Sequence, residues 1–543
     1  MDVDSKYDLS EVPKEVLQNI FYWAVREDHF QGTRSLRMRA TLARHLSHVN
    51  RKWREAALEY SELWTGPVLD WLSHPHWLET VLARSFPQPI EVIIPLDAPL
   101  RRPHVVEQAL KHLSRMRTLV LDLGPVGWQV VIQKRILQHS APLLEFCRLT
   151  LHAEGQPDSR TALLGLNKAL LKAPKLQDLE LVNFPFFVPR ACHNLTSLVV
   201  KHMRQQSAMG IVLALESLPQ LEHLIVERQP CSRKDTVPLL SNKRQYKRPI
   251  HLAKLRSLSV SSDTSFCAGI LSHLKIPDRC STILYCFDVQ ATSTETENLF
   301  SFMRERTDCW ASDPMAGQQI LDLGATLFHF RAESEFESEN RSVCLELTLL
   351  WDRDAAHSPV TFDQIFHKYV SQLVEFREDP MEAGLPAALS VTVQPNLNDE
   401  YMRRLFLSTG WAASMDYITT LQLHTVHTLN IFLSFMHPPK NMDDVLFSQI
   451  MDLHLADINL SCTRLLQKLT KYLKLRNALD WNISHLKFIR CVGRLFHGGY
   501  SKIKALVGVI FINGEQDSGD DTETEDGYSS DCTVTACDID DDY

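Results

Sequence analysis

The hexapeptides LQDLEL at residues 176–181 and LTSLVV at residues 195–200 decide the fold, because each reads apolar-x-x-Leu-x-apolar. Side chains alternate between the two faces of a strand, so the central Leu and the residue two positions later share one face. Four other segments repeat the unit: Met116-Leu119-Leu121, Phe146-Leu149-Leu151, Leu221-Leu224-Val226 and Leu255-Leu258-Val260. We therefore predict a series of short strands, each of which buries one face.

The spacing of these units predicts how they are connected. Their central leucines lie 30, 30, 19, 26 and 34 residues apart, with helical patterns between them at 105–113, 130–138, 163–171 and 210–218. A short strand followed by a helix, repeated at this period, resembles the leucine-rich-repeat plan. In that plan parallel strands line a concave face, helices line the convex face, and each unit is stable only when it is stacked on its neighbours.

We expect an α/β fold in which residues 104–512 form an irregular leucine-rich-repeat-like solenoid. Strand-like stretches continue at 345–349, 389–393, 421–423, 453–455 and 486–489. The Asn that follows the strand in such repeats is mostly missing, and Asp263 and Asn183 are its nearest substitutes. A generic α/β domain with leucine-rich strands is the alternative that this irregularity leaves open.

Three polar segments interrupt or follow the pattern. Residues 331–342 are acidic and predict a solvated loop, while the insertion at 229–250 carries six basic residues between 233 and 248. That insertion fits either a solvated loop or a nuclear-import or phosphate-contacting segment. Residues 514–543 are predicted to be a disordered acidic tail, because few of their side chains can be buried and their like charges repel.

The N-terminal residues 9–64 predict two packed helices. Pro13 suits a helix start, and five apolar side chains then share one stripe at spacings of three and four: Val16, Leu17, Ile20, Phe21 and Ala24. A second helical pattern carries a matching apolar face: Leu42, Leu46, Val49, Trp53 and Ala57. About 56 residues bury too little surface to be stable alone, so we expect this unit to pack on something else.

This N-terminal stretch resembles an F-box. The matched positions are Val12-Pro13, Glu15-Val16-Leu17, Ile20-Phe21, Leu46, Val49-Asn50-Arg51-Lys52-Trp53 and Leu63-Trp64. Val12 stands where the family has Leu, Asn50 stands where it has Cys, and residues 26–41 are longer and more basic than in a minimal F-box. Residues 68–103, a linker or bridge with an apolar strand at 90–94, are similar to the segment after the F-box in large fungal F-box families.

The resemblance implies a substrate-recognition adaptor of a Skp–cullin–F-box ubiquitin ligase. The F-box would bind a Skp-type adaptor, and through it cullin, with a docking face formed by Leu9, Val12, Pro13, Val16, Leu17, Ile20, Leu46, Val49 and Trp53. The repeat domain would hold an unknown protein substrate at exposed residues between the strand leucines, such as Glu180, Val199, Ile225 and Ser259. A protein-interaction scaffold without a ligase is the alternative.

Charge and cysteine content limit the class of partner and compartment. The net charge is −9, but residues 515–543 hold 12 Asp and Glu and no Lys or Arg, which leaves 54 acidic against 57 basic residues elsewhere. A nearly neutral body does not favour nucleic-acid binding. The 12 scattered cysteines suit reduced thiols in the cytoplasm or nucleus, and neither a signal peptide nor an apolar membrane span is expected.

Motifs for catalysis are missing from the sequence. GxxxxGK[ST], GxGxxG, GxSxG and HExxH do not occur, and the 23 histidines are dispersed without metal-ligand spacing. We therefore expect no catalytic residue, no metal site and no cofactor. An enzyme with an unrecognised site in residues 290–510 is the third alternative.

Overall fold

The computed structural model describes residues 12–26, 42–66, 75–94, 103–124, 140–152, 173–183, 192–203, 208–229, 249–287, 289, 293–311, 316–324, 327–336, 341–350, 387–393, 418–435, 449–460, 463–492, 497–512 and 515–516. Within it the chain divides into two compact units, Met1–Ile450 and Met451–Tyr543. Both are mixed α/β units with mostly parallel strands, which agrees with the expected fold class.

The helices of the first unit include α1 (Lys14–Arg26), α2 (Arg51–Glu59), α3 (Pro75–Arg84), α4 (Pro103–Leu110), α5 (Ala208–Leu215), α6 (Thr264–Leu271), α7 (Thr294–Ala311) and α8 (Val426–Phe435). Residues 42–46 are also helical, and Ser61–Trp64 and Leu113–Arg115 form 3-10 turns. The predicted helices at 105–113 and 210–218 correspond to α4 and α5, whereas those at 130–138 and 163–171 lie outside the described residues.

The strands of the first unit are β1 (Ile90–Ile94), β2 (Met116–Leu123), β3 (Phe146–Leu151), β4 (Asp178–Val182), β5 (Ser197–Met203), β6 (His223–Arg228), β7 (Ile250–His251), β8 (Ser257–Asp263), β9 (Leu274–Lys275), β10 (Ser281–Phe287), β11 (Ala316–Gly324), β12 (Leu327–Phe336), β13 (Arg341–Leu350), β14 (Ala387–Val393) and β15 (Ile418–His424). Parallel pairing runs from β1 through β2, β3, β4, β5, β6, β8 and β10 to β13. β12 lies antiparallel between β13 and β11, and β11, β14 and β15 pair in parallel.

Two columns of buried side chains cross the parallel strands. The first column is Val92, Leu119, Cys147, Leu179, Leu198, Leu224 and Leu258, and the second is Ile94, Leu121, Leu149, Leu181, Val200, Val226 and Val260. None of these side chains is more than 2 % exposed. Each strand therefore covers the apolar residues of the next, as the period-two pattern predicts.

The register predicted for the unit at 146–151 was wrong by two residues. Cys147 pairs with both Leu119 and Leu179, so the unit is Leu144-Cys147-Leu149 and not Phe146-Leu149-Leu151. Burial raises the pKa of Cys147 to about 12, with a further contribution from Cys192, so its thiol stays neutral and packs as a small apolar group.

A repeated turn and a ladder of amide bonds set the strand register. Leu176 N donates to Ala173 O and Leu195 N donates to Cys192 O, both at 3.2 Å, which closes a β-turn before each strand. Immediately after these turns, Gln177 N donates to Glu145 O at 2.9 Å and Thr196 N donates to Gln177 O at 2.8 Å. Equivalent hydrogen bonds join the next strands: Glu222 N donates to Thr196 O, Arg256 N to Glu222 O and Ser281 N to Arg256 O. Neighbouring strands are therefore fixed at their entry points.

Three helices of the first unit pack in sequence, because α6 contacts both α5 and α7. A Cβ at Gly269 would lie 3.1 Å from Ala208 Cβ, so this glycine permits a close approach of α6 to α5. Asp263, one of the two residues considered as a repeat-turn Asn, instead caps α6, since its carboxylate accepts Phe266 N at 3.0 Å. Asn183 follows β4 with a positive φ of 55°, a conformation that Asn tolerates.

The second unit contains α9 (Thr463–Ala478), α10 (His497–Lys504), β16 (Asp452–Ala456), β17 (His485–Ile489), β18 (Val509–Ile512) and β19 (Glu515–Gln516). β16, β17 and β18 are parallel, with Leu453 opposite Leu486 and Leu486 opposite Ile510. Ser484 N donates to Met451 O at 2.7 Å, which repeats the strand-entry bond of the first unit. The strands predicted at 453–455 and 486–489 are confirmed.

One loop assignment was wrong, and the tail assignment was wrong at residues 515–516. Most of the predicted solvated loop at 331–342 belongs to the antiparallel pair β12 and β13, with Ala332 opposite Leu345. The alternation of Phe328, Phe330 and Ala332 with polar residues was obscured by the acidic content. The predicted disordered tail begins with β19, which pairs antiparallel with β18. Residues 517–543 and the basic segment 233–248 lie outside the described residues.

We predict that Leu198→Ala destabilises the first unit by about 2–5 kcal/mol, the usual range for an emptied buried site. Val199→Ala on the same strand is the matched control, because Val199 is only half-buried, and it should cost well under half as much. Chemical denaturation of the two variants measures the difference. Equal losses would show that the buried columns do not carry the stability of the sheet.

Candidate functional site

The N-terminal helices α1 and α2 are held together by a small aromatic core. Leu17 and Phe21 of α1 are fully buried, as are Ala56 and Ala57 of α2. The rings of Phe21 and Trp53 meet edge to face, with centroids 5.5 Å apart. Of the apolar stripe predicted for α1, Leu17 and Phe21 therefore form the core with α2, whereas Val16 and Ile20 stay exposed.

The start of α2 is fixed by polar contacts. Asn50 accepts Trp53 N at 2.8 Å through its side chain, which satisfies one of the unpaired amides of the first helical turn. Arg54 Nε donates to Ser47 O at 2.9 Å. The indole N–H of Trp53 is buried, and no described residue accepts a hydrogen bond from it. Trp53 therefore contacts the core through its ring while its side chain remains half-buried at the surface.

The nine predicted docking residues differ in their exposure to solvent. Val16, Ile20 and Val49 are 45 %, 43 % and 51 % exposed. Pro13 is also exposed, whereas Val12, Leu46 and Trp53 are half-buried. Leu9 lies outside the described residues. Leu17 is fully buried, because its position in α1 faces α2, and we therefore assign it to the core and remove it from the docking face.

The helical unit is joined to the first strands of the sheet. Trp64 is buried and its Nε1 donates to Ala57 O at 2.7 Å. The guanidinium of Arg84, on α3, lies 4.7 Å from the centroid of Trp64. Glu91 N in β1 donates to Thr65 O at 3.1 Å. The small N-terminal unit packs against α3 and β1, as expected. Because β1 pairs with β2, part of the predicted bridge 68–103 belongs to the sheet.

We predict that Leu17→Ala lowers the free energy of unfolding by about 2–5 kcal/mol, because it empties a buried site. Val16→Ala, one residue earlier on the exposed side of the same helix, should change it by less than about 0.5 kcal/mol. Thermal and denaturant unfolding measure both. A larger loss for Val16→Ala than for Leu17→Ala would contradict this assignment of the two faces.

The opposite face of the parallel strands carries a row of half-buried residues, which we call the open face. Val120, Arg148, Glu180, Val199, Ile225, Ser259 and Ile283 form this row. It contains the four residues predicted for substrate contact, and the pairing places them side by side on neighbouring strands: Glu180, Val199, Ile225 and Ser259.

Charges on this side of the sheet are matched between neighbouring strands. Arg148 Nε lies 3.5 Å from a Glu180 carboxylate oxygen, and Lys201 Nζ lies 3.6 Å from Glu227. At the carboxyl ends of β6 and β8, and not in this row, the largely buried Arg228 lies 2.9 Å from Asp263. Exposed pairs of this kind add little stability, but they leave the open face with alternating signs and apolar positions, which suits contact with a protein surface.

A cleft of about 820 Å³ lies between the helical unit and the amino ends of β1 to β4. Aromatic side chains line it: Tyr22, Trp23, Tyr60 and Phe146. Carboxylates line it as well: Glu62, Glu91, Glu145 and Asp178. No sequence pattern predicted this cleft, because its residues come from separate segments, and Phe146 had been predicted only as the first apolar residue of a repeat unit.

Among the described residues, no group of three or more His, Cys, Asp or Glu side chains is placed to hold a metal ion. No helix in the described part of the chain is long and apolar enough to cross a bilayer. The described cysteines at 147, 192, 267, 280, 286 and 491 are free thiols. Three surface features of the described residues remain to be interpreted: the exposed apolar residues of the N-terminal helices, the open face and the cleft.

Comparison with protein-family models gives no match for this chain, and comparison with curated proteins gives none either.

Proposed function

We propose that this chain is the substrate-recognition adaptor of a Skp–cullin–F-box ubiquitin ligase and is not itself an enzyme. The observation that carries the proposal is the arrangement of the N-terminal helices. Residues matching the F-box pattern form a packed core, while Val16 and Ile20, one helical turn apart on α1, remain exposed. Exposed apolar side chains that share a helix face favour a partner that covers them.

The proposed docking face consists of Pro13, Val16, Ile20 and Val49, with Val12, Leu46 and Trp53 at its half-buried edge. Leu17 supports it from the core by holding α1 against α2. An interface of this type gains most of its affinity from a few desolvated apolar residues near its centre.

For substrate contact we propose an irregular leucine-rich-repeat-like solenoid that uses the open face. Support comes from the register: successive parallel strands place Glu180, Val199, Ile225 and Ser259 in one row while the residues between them are buried. A row built from several strands offers a wide, rigid surface, since each strand is fixed by its neighbours. Such a surface suits a protein substrate.

A scaffold that binds proteins without assembling a ligase is the second candidate. It is favoured by the open face itself, because that surface exists whether or not the N-terminal helices dock on an adaptor. Recovery of a Skp-type adaptor and cullin with the purified chain supports the ligase. Recovery of protein partners alone, with neither adaptor nor cullin, supports the scaffold.

We predict that the double substitution Val16→Glu and Ile20→Glu weakens adaptor binding by roughly a hundredfold, taking ~1.4 kcal/mol for each residue. Both positions are exposed, so the melting temperature should stay close to that of the parent chain. Titration of the purified adaptor, followed by calorimetry, measures the affinity.

Leu213→Glu is the matched control, since Leu213 on α5 is 48 % exposed and lies outside the proposed face. This variant should bind the adaptor as tightly as the parent chain does. Unchanged binding by the folded double variant would refute the proposed docking face.

A further inference from the structure

The helices of the second unit carry an excess of positive charge. Residues 451–516 hold ten Lys and Arg and four Asp and Glu, a formal charge of +6. On the strand side the acidic groups lie beside basic ones, because Asp452 is 2.6 Å from His485 and Asp457 is 2.7 Å from Arg490. Neither α9 nor α10 contains Asp or Glu, so the excess belongs to the helical side.

One side of α9 is basic along its whole length. Four cationic residues recur at spacings of three and four and therefore share the solvent side of the helix: Arg464, Lys468, Lys471 and Lys474. The opposite side is buried through its leucines: Leu465, Leu466, Leu469 and Leu473. Among the described residues, neither of the exposed side chains of Lys471 and Lys474 has an ion-pair partner.

The neighbouring helix α10 extends this basic side. α9 contacts α10, and Asn477 Nδ2 near the end of α9 donates at 3.1 Å to Leu506 O, two residues after α10. The carboxyl ends of the two helices therefore meet, which places exposed Lys502 and Lys504 at the same end as Lys474. Lys502 also has no ion-pair partner in the described part of this unit. We call these six residues the basic face: Arg464, Lys468, Lys471, Lys474, Lys502 and Lys504.

An acidic segment of the same chain begins beside these helices. β19 pairs antiparallel with β18, with Gln516 opposite Phe511, so the chain leaves Gln516 in the direction of Val509. Val509 follows the end of α10 by five residues. Residues 517–543, outside the described residues, hold eleven Asp and Glu and no Lys or Arg. An extended chain of this length reaches up to about 90 Å, several times the length of α9, about 24 Å.

Covalent attachment favours this segment over a separate acidic partner. An exposed ion pair contributes little in water, so a few exposed lysines hold a freely diffusing peptide only weakly. A segment tethered to the same unit is present at an effective concentration of roughly millimolar. Its carboxylates are also attracted by the summed charge of the face and not by one lysine alone.

We propose that the acidic segment 517–543 binds the basic face of its own chain and shields that face from other anions. Its carboxylates contact the ammonium groups of Lys471, Lys474 and Lys502. This inference goes beyond adaptor docking and does not depend on it, because the segment and the face both belong to the second unit.

Lysine acetylation of the full chain tests the contact directly. The comparison is a full-length variant, the neutral-segment variant, in which the eleven Asp and Glu of 517–543 are replaced by Asn and Gln. Mass spectrometry should show that Lys471, Lys474 and Lys502 react roughly three- to tenfold more slowly in the parent chain, because nearby carboxylates favour the charged, unreactive ammonium. Salt at about 1 M should abolish the difference. Equal rates in the two chains at low salt would overturn the proposal.

Three exposed lysines of the first unit are the internal control: Lys111, Lys175 and Lys275. Their acetylation rates should be the same in the parent chain and in the neutral-segment variant. A slowing of these lysines equal to that of the basic face would show a general effect of net charge, which would overturn the assignment of the site.

A fluorescent peptide of residues 517–543, added to the neutral-segment variant, measures the face by itself. The triple substitution Lys471→Gln, Lys474→Gln and Lys502→Gln should weaken peptide binding roughly tenfold. The matched control removes the same charge from the first unit and should leave the affinity within about twofold: Lys111→Gln, Lys175→Gln and Lys275→Gln. Equal weakening by the two triple substitutions would contradict a defined face.

Two other occupants of the basic face give different results. Shielding predicts that a DNA single strand binds the neutral-segment variant more tightly than the parent chain, whereas equal affinity would overturn it. Binding within one chain predicts the same mass by light scattering for both proteins. A parent chain that dimerises while the neutral-segment variant stays monomeric would place the segment on a second copy and overturn the intramolecular contact.

Discussion

The burial of two side-chain columns across neighbouring parallel strands is the constraint on which the rest of the first unit depends. Leu198 is covered by Leu179 on one side and by Leu224 on the other, so each strand is stable only between its neighbours. A fully buried Leu contributes about 1.5–3 kcal/mol relative to an exposed one. Because successive side chains of a strand point to opposite faces, the residue between two buried positions lies on the other face of the sheet. These intervening residues form the open face.

The same sheet determines where the N-terminal helices can lie. Thr65 accepts an amide from Glu91 of β1, and Trp64 is held between Ala57 and Arg84, so the helical unit is attached at the first strand. Its attachment leaves the cleft between Tyr22, Trp23 and the amino ends of the strands. Two surface regions with different chemistry follow: exposed apolar residues on α1, and a cleft lined by aromatic and acidic residues.

The strand positions could be predicted from the sequence because a period of two is a local signal, as β4, β5, β6 and β8 show. The register of β3 could not, since Cys147 takes a position that other strands fill with Leu, and Phe146 and Leu151 imitate the pattern two residues later. The sequence predicted one apolar face on α1, whereas the structure separates exposed Val16 and Ile20 from buried Leu17 and Phe21. The spacing of apolar residues alone does not show which of them pack against α2. The cleft has no local pattern, so only the fold brings its residues together.

The central claim is that the buried columns and the amide ladder make the parallel strands one cooperative structure. Native-state hydrogen exchange, followed by mass spectrometry on the full chain, tests it most directly at 178–182, 197–203 and 223–228. The account predicts that the paired amides of these three strands exchange slowly and open together, because none keeps its covered face without the others. Exchange as fast as in an unstructured peptide, or opening of one strand while its two neighbours stay fully protected, would contradict it.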